Sequence, residues 1–170
     1  MKYIKQYFGH ILALTVLDQA VKLLIQFFWL TIDTDLIGPL LRFRPVHNTN
    51  LSWAGNFIPF LSGMEVTVIL NLLCIALYIS CYAFYRSSQK EPAKSAAFIF
   101  VCGMAGCLCS LIDKVFWGGS LDFLQIPRLF TFDLKDCYLS ASLCLFILVG
   151  LKHGEDISFR EYFRWILKRR

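Results

Sequence analysis

The chain has 170 residues, room for a single domain. It is 57% hydrophobic and 17% charged with a mean hydropathy of +0.58, whereas soluble domains average about 45–50% apolar and about 25% charged residues; the composition therefore excludes an ordinary water-soluble globule. The net charge of +5 would suit a nucleic-acid partner, but the basic residues gather at the flanks of apolar runs and in the tail, which excludes one.

A hydrocarbon core about 30 Å thick needs about 20 apolar residues as helix. Residues 8–30 form the first such run. Lys2 and Lys5 precede it as in a cleaved signal peptide, but the run is too long, lacks an A-x-A exit and carries Asp18, Gln19, Lys22 and Gln26; a retained helix is expected. Segment 31–63 is mixed, with Pro39 and Pro45 breaking its loose alternation. Short strands are expected at 40–43 and 52–54, with 58–61 at the membrane interface. Asn48, Thr49 and Asn50 read as turn residues, or else an Asn amide holds a substrate backbone. Residues 64–85 and 96–117 are the second and third runs, the third closed by Gly118 and Gly119. Its small residues Gly103, Ala105, Gly106, Cys107, Cys109 and Ser110 permit close helix packing. Residues 137–151 are the fourth and shortest run, whose deficit is met by tilt and a snorkelling Lys152, or by an outer end sunk below the headgroups. The tail from residue 157 is amphipathic, with Phe159, Tyr162, Phe163, Ile166 and Leu167 against Arg164, Lys168, Arg169 and Arg170. Such a segment lies on anionic lipid.

Lys and Arg set the orientation. Eleven of them (Lys2, Lys5, Arg86, Lys90, Lys94, Lys152, Arg160, Arg164, Lys168, Arg169, Arg170) fall on one side of the spans and four (Arg42, Arg44, Arg128, Lys135) on the other. The predicted architecture is an all-α integral membrane protein, one domain over residues 1–170. It is a four-transmembrane-helix bundle with cytoplasmic termini, outer segments at 31–63 and 118–136, a small extracytoplasmic β-containing loop domain, and a cytoplasmic amphipathic tail at 152–170. The seven cysteines lie in or beside apolar stretches without a CxxC or a Cys/His cluster, and read as packing residues.

An ionisable side chain within a span costs about 2.5–3.5 kcal/mol on insertion scales. Asp18 and Lys22 are four residues apart and so share a helix face, where they pair. The pair holds the helix against its neighbours or takes part in chemistry. Ser110, Asp113 and Lys114 end the third span, and Asp122, Asp133 and Asp136 follow. Four carboxylates thus fall near the outer boundary. Two close carboxylates do not both ionise easily, so one takes a proton from water while the other protonates the departing group. That chemistry needs no metal, cofactor or nucleophilic side chain. There is no G-x-S-x-G, H-E-x-x-H or Walker-type loop, and His10, His47 and His153 are scattered. Spacing alone leaves open which of the four acids would pair.

Four motifs in order resemble the lipoprotein signal peptidases (signal peptidase II), membrane aspartic proteases with four helices. Asp18-Gln19-Ala20-Val21-Lys22 matches the family's D-Q-x-x-K. His47-Asn48-Thr49 opens like H-N-T-G-A-A-F-G, then departs at Asn50, Leu51, Ser52 and Trp53. Ser110-Leu111-Ile112-Asp113-Lys114 stands where the family has N-x-x-D-R, and Asp122-Phe123 keeps its D-F element. Phe132-Asp133-Leu134-Lys135-Asp136 stands for F-N-x-A-D. The resemblance implies that Asp122 and Asp136 are a catalytic dyad that activates water. They would cut prolipoproteins before a diacylglyceryl-modified cysteine, near the extracytoplasmic face of the cell membrane. Asp18, Lys22, Asn48, Ser110, Asp113, Lys114 and Asp133 would be supporting or substrate-binding residues. The partners implied are prolipoproteins with a lipidated cysteine and membrane lipids.

The departures alter the site's chemistry. Lys135 adds a cation next to Asp136 and favours ionised acids, and Asp133 adds a carboxylate that partly offsets it. Lys114 lacks the bidentate fork of Arg, and Ser110 has one hydroxyl where an amide supplies both donor and acceptor. Two alternatives remain beside the peptidase. One is a catalytically impaired homologue that binds lipid-anchored peptides or partner proteins. The other is a small transporter using Asp18 and Lys22, which the lack of repeated broken helices disfavours.

Overall fold

Apolar runs long enough to cross lipid satisfy their backbone polar groups internally, so they fold as helices. The computed structural model describes residues 2–49, 63–88, 94–152 and 159–168. Its helices are α1 (Lys2–Leu24), α2 (Met64–Ser88), α3 (Lys94–Ile112), α4 (Leu134–Lys152) and the short α5 (Phe159–Lys168). The first four are long and apolar enough to cross a membrane. Outward-facing Leu70, Leu73, Phe98, Phe146 and Leu148 suit contact with lipid. The expected helix bundle with a small sheet is therefore the observed architecture.

α3 is the hub, packing against α1, α2 and α4. Half of its span is buried, against 11% for α2 and for α4. Small residues make this possible: Cys102, Gly103, Ala105, Gly106, Cys107, Cys109 and Ser110 are all buried. At Gly106 a Cβ would meet the Leu139 side chain at 2.6 Å and the Lys135 carbonyl oxygen at 3.3 Å. A larger residue there would push α4, and its first turn, away from α3. A polar tie crosses the same helices: Ser142 Oγ donates to the Ile99 carbonyl at 2.9 Å and lies 3.1 Å from Tyr78 Oη. Towards the start of α1, Ile11, Tyr82, Phe100, Met104 and Ala105 form an apolar cluster, with the Tyr82 and Phe100 rings stacked at 4.4 Å.

α1 and α3 both run on into π-helical turns, Ile25–Trp29 and Asp113–Trp117. The second ends at Gly118 in a left-handed conformation (φ 64°), whose N–H bonds the Asp113 carbonyl. Beyond these turns lies a four-stranded antiparallel sheet in the order β1 (Thr34–Ile37), β2 (Leu41–Asn48), β3 (Ser120–Ile126) and β4 (Phe130–Phe132). Leu121 and Phe123 pack one face of β3 onto Ile25 of the π-helical turn after α1, which ties the sheet to the bundle.

The strand expected at 40–43 is longer than read, and Pro45 does not end it. The β2–β3 ladder shifts register between Phe43 and Val46, and such an irregularity accommodates a residue with no N–H to donate. Asn48 therefore ends a strand and does not lie in a turn. β1, β3 and β4 were not foreseen as strands. The expected strand at 52–54, the interfacial segment at 58–61, Asn50 and His153 lie outside the described residues. α4 starts at Leu134, ahead of the apolar run at 137. The amphipathic tail is present as α5, docked on α2 through a Tyr162 Oη to Ser80 Oγ bond of 2.9 Å and the rings of Tyr162 and Trp165 against Phe84. The cysteines described are all free.

Candidate active site

The end of the bundle that carries the sheet gathers five acids from four segments. Asp18 comes from α1, Asp113 from the π turn after α3, Asp122 from β3, Asp133 from just before α4, and Asp136 from its first turn. Buried charges must be paired, and here the pairing is explicit. Lys22 Nζ, fully buried, lies 2.9 Å from Asp18 Oδ2, 2.6 Å from Asp113 Oδ2 and 2.7 Å from Asp133 Oδ2. An ammonium has three protons, and this one has three carboxylates. Gln19 extends the network: its Nε2 donates to Asp18 and Asp113 at 3.0 Å each, while its Oε1 accepts from Trp117 Nε1 at 3.1 Å.

The start of α4 is bound into the same cluster. Asp133 Oδ1 accepts the Asp136 N–H at 3.2 Å and Asp136 Oδ2 accepts the Asp133 N–H at 3.1 Å. This is a reciprocal capping box made from two aspartates. The Lys135 N–H donates to Asp18 Oδ1 at 3.1 Å. The orphan N–H groups of the first turn thus fix the acids, and the positive end of the helix dipole favours negative charge there.

Asp122 is held from the sheet. Asn48 lies opposite Ser120 and Val46 opposite Asp122, so Asn48 and Asp122 are diagonal neighbours on one face. Asn48 Nδ2 donates to Asp122 Oδ2 at 2.9 Å. Asp122 Oδ1 is buried without a hydrogen-bond partner among the described residues. One carboxylate oxygen from each of Asp122, Asp133 and Asp136 lies within 4.8 Å of the others. One water donating or accepting at about 2.8 Å on each side spans such a gap. Of these three acids Asp133 is fully buried and Asp122 nearly so, whereas the Asp136 side chain is 41% exposed.

Burial pushes the Asp122 carboxyl above its usual range, against the smaller opposing pull of the Lys135 ammonium and the Asn48 amide. Burial would do the same to Asp133, but the Lys135 and Lys22 ammonium groups outweigh it and hold that carboxyl below the usual range. The two acids are driven apart by their neighbours.

Ser110 and Lys114 stand one turn apart and meet each other: Lys114 Nζ donates to Ser110 Oγ at 2.6 Å. Lys114 makes no ion pair within 4.0 Å among the described residues. Ser110 also lines a groove of about 280 Å³ with Asn71, Cys74, Tyr78, Cys107, Leu139 and Leu143. The groove lies between α2 and α4 on the surface of α3. Leu139 and Leu143 follow Asp136 at helical spacing, so the groove runs along the face of α4 that carries that acid.

A family model described as signal peptidase (SPase) II matches residues 10–152. The chain belongs to the signal peptidase II family. It is 25% identical over 149 residues to a lipoprotein signal peptidase of Caldicellulosiruptor bescii, covering 88% of this chain and 93% of that one. It is 24% identical over 148 residues to a lipoprotein signal peptidase of Buchnera aphidicola subsp. Acyrthosiphon pisum (strain 5A), covering 85% and 90%. Two solved bacterial membrane enzymes share its fold. One has a TM-score of 0.69 at 21% identity, covering 92% of this chain and 93% of that chain. The other has a TM-score of 0.68 at 23% identity, covering 88% and 95%.

Membership of a signal peptidase II family makes the chain a membrane peptidase of lipoprotein processing. All nine residues singled out from the sequence fall at the sheet end of the bundle. Lys22, Asp18, Asp113 and Asp133 form one ion cluster, Asn48 touches Asp122, and Asp133 and Asp136 cap α4. Ser110 and Lys114 stand beside the cluster and outside it. The sequence reading did not single out Gln19, Trp117 and Ser120. Ser120 Oγ lies 3.2 Å from Asp113 Oδ2 and 3.0 Å from Asp133 Oδ2. Gln19 sits inside the D-Q-x-x-K motif, a signal that was available; Ser120 and Trp117 carry none.

Proposed function

We propose that the chain is an aspartic endopeptidase that removes signal peptides from diacylglyceryl-modified prolipoproteins, cutting before the lipidated cysteine. Asp122 and Asp136 are the catalytic pair. The observation that carries this reading is how the five carboxylates divide. Asp18, Asp113 and Asp133 spend oxygens on the buried Lys22 ammonium, while Asp122 keeps an oxygen that has no hydrogen bond among the described residues and Asp136 is partly exposed. These are the two acids available to a water and a substrate.

In the proposed reaction the ionised member of the pair takes a proton from the water as its oxygen adds to the carbonyl carbon. The protonated member passes its proton to the carbonyl oxygen. The tetrahedral diol then collapses, the C–N bond breaks, and a proton returns to the leaving amine of the lipidated cysteine. The titration belongs to the pair and not to either residue. The Asn48 amide orients Asp122 from the sheet. The groove between α2 and α4 lies among the spanning helices, where a substrate that arrives through the bilayer would meet it. The excess of basic residues at the opposite end supports cytoplasmic termini and acids near the extracytoplasmic face.

A second reading, a homologue that binds lipid-anchored peptides without cutting, rests on Lys135, whose ammonium stands against the pair. One assay separates them. The purified protein is reconstituted with a diacylglyceryl-modified prolipoprotein, beside Asp122→Asn and Asp136→Asn. Release of a product whose first residue is the lipidated cysteine, by the wild type and by neither variant, supports the protease. Binding without cleavage by all three supports the second reading.

A further inference from the structure

Three carboxylates with oxygens within 4.8 Å of one another repel strongly unless a cation stands among them. One does. Lys135 Nζ is in contact with Asp133 Oδ2 and lies 3.7 Å from Asp122 Oδ1 and 3.9 Å from Asp136 Oδ2. It is also 2.6 Å from Ser120 Oγ and 3.3 Å from Asp113 Oδ2. Lys135 follows Asp133 by two positions in the chain, and its side chain is only 9% exposed. The same two positions are those where this chain has Asp and Lys in place of the Asn and Ala that the family pattern carries.

We propose that Lys135 is the built-in counter-cation of the Asp122–Asp136 pair, and that Asp133 and Lys135 are one compensated substitution that sets the pH range in which the site works. Lys135 is a positioning residue: it acts on substrate only through the two acids. The inference rests on the function proposed above.

The surrounding charges make the balance specific. α1 contributes Asp18 and Lys22, the end of α3 contributes Asp113 and Lys114, β3 contributes Asp122, and the start of α4 contributes Asp133, Lys135 and Asp136. β2 contributes the neutral Asn48, and its His47 is exposed. Lys22 is already taken by three acids, and Lys114 bonds Ser110. Among the described residues Lys135 is therefore the cation within 4 Å of both acids. Without it, five carboxylates would lean on Lys22. Without Asp133, by contrast, the Lys135 ammonium would act on the pair unopposed. At an effective dielectric constant of about 20, the pull of a unit charge about 4 Å away is enough to shift a carboxyl by more than one pH unit.

The test is the pH dependence of prolipoprotein cleavage by the wild type, Lys135→Met, Lys135→Arg, Asp133→Asn and the double variant Asp133→Asn/Lys135→Met. Asp122→Asn is carried alongside. Lys135→Met is expected to move both limbs of the profile to higher pH by about one unit or more, and Lys135→Arg to keep the wild-type limbs. Asp133→Asn is expected to move them to lower pH, and the double variant to return them close to wild type. If Lys135→Met does not fold, Asp133→Asn and the double variant carry the test, because Asn still caps a helix. Wild-type limbs in both Asp133→Asn and Lys135→Met, with rates lowered equally at every pH, would make Lys135 merely structural and overturn the inference alone. Cleavage that survives Asp122→Asn, or no cleavage by the wild type, would overturn the proposed function and this inference with it.

Discussion

Replacing Lys22 by Met tests the buried ion cluster that holds the site together. The three carboxylate contacts of Lys22 are 2.6–2.9 Å long. At an effective dielectric constant of about 20, each is worth roughly 6 kcal/mol of gross attraction. Most of that offsets the cost of removing the charges from water. Removing the ammonium alone takes the cation from Asp18 and leaves Asp113 and Asp133 to Lys135, and breaking a buried pair in this way costs about 3–5 kcal/mol. A domain with about 5–15 kcal/mol of total stability would lose a large part of it. In detergent at neutral pH, Lys22→Met should therefore melt far below the wild type. Part of the deficit should return as the pH falls and these acids protonate. Equal melting temperatures across pH 5–8 would refute the reasoning, because the cluster would then be bearing no net load.

Three further outcomes follow from the same geometry. The folded Asp122 carboxyl is raised by burial, so its ionisation costs stability as pH rises above the unfolded value of about 3.9; Asp122→Asn should lose cleavage yet melt higher than the wild type at neutral pH. Asp133 is the opposite case: its folded value is depressed by Lys135 and Lys22. Its contribution is fully present above about pH 3.9 and lost as pH falls through the lower folded value, so acid melting of Asp133→Asn should show a shallower fall than the wild type in that window. Gly119 lies against the Asn48 carbonyl, with the Asn48 carbonyl carbon 3.2 Å from where a Cβ would stand. Gly119→Ala should push β2 aside, loosen the Asn48–Asp122 bond and lower cleavage by about 10-fold, since that bond is worth about 1.5 kcal/mol, with helical circular dichroism unchanged.

Lipid is a demanding solvent, and that is why the helices were legible. It fixes their length and forbids charges without a reason, so hydropathy located the four spans and Asp18 and Lys22 stood out within the first. The sheet was less legible because strands are short and partly covered. β1 carries no clean alternation, β4 is only three residues long, and Pro45 looked like a terminator where a shift in the β2–β3 register absorbs it. At the site, the set of acids could be read, but spacing did not divide them. That division depends on distances between segments far apart in the chain, such as Lys22 to Asp133. The 18–22 pairing was visible as one helix face, whereas the reach of Lys22 to Asp113 and Asp133 was not. Lys135 and Asp133 were visible as departures, and their opposite effects on neighbouring charge followed from residue type. That Lys135 faces Asp122 as well as Asp136 required the sheet to fold over the start of α4.

The central claim is that Asp122 and Asp136 act as one unit, and a rate comparison tests it most directly. Initial cleavage rates are measured for the wild type, each single Asn variant and the double variant on the same lipidated prolipoprotein. Groups that share one chemical step are not additive: each single variant should lose nearly all activity, and the double variant should be no slower than either. Losses that multiply in the double variant, or substantial cleavage by one single variant, would contradict the account.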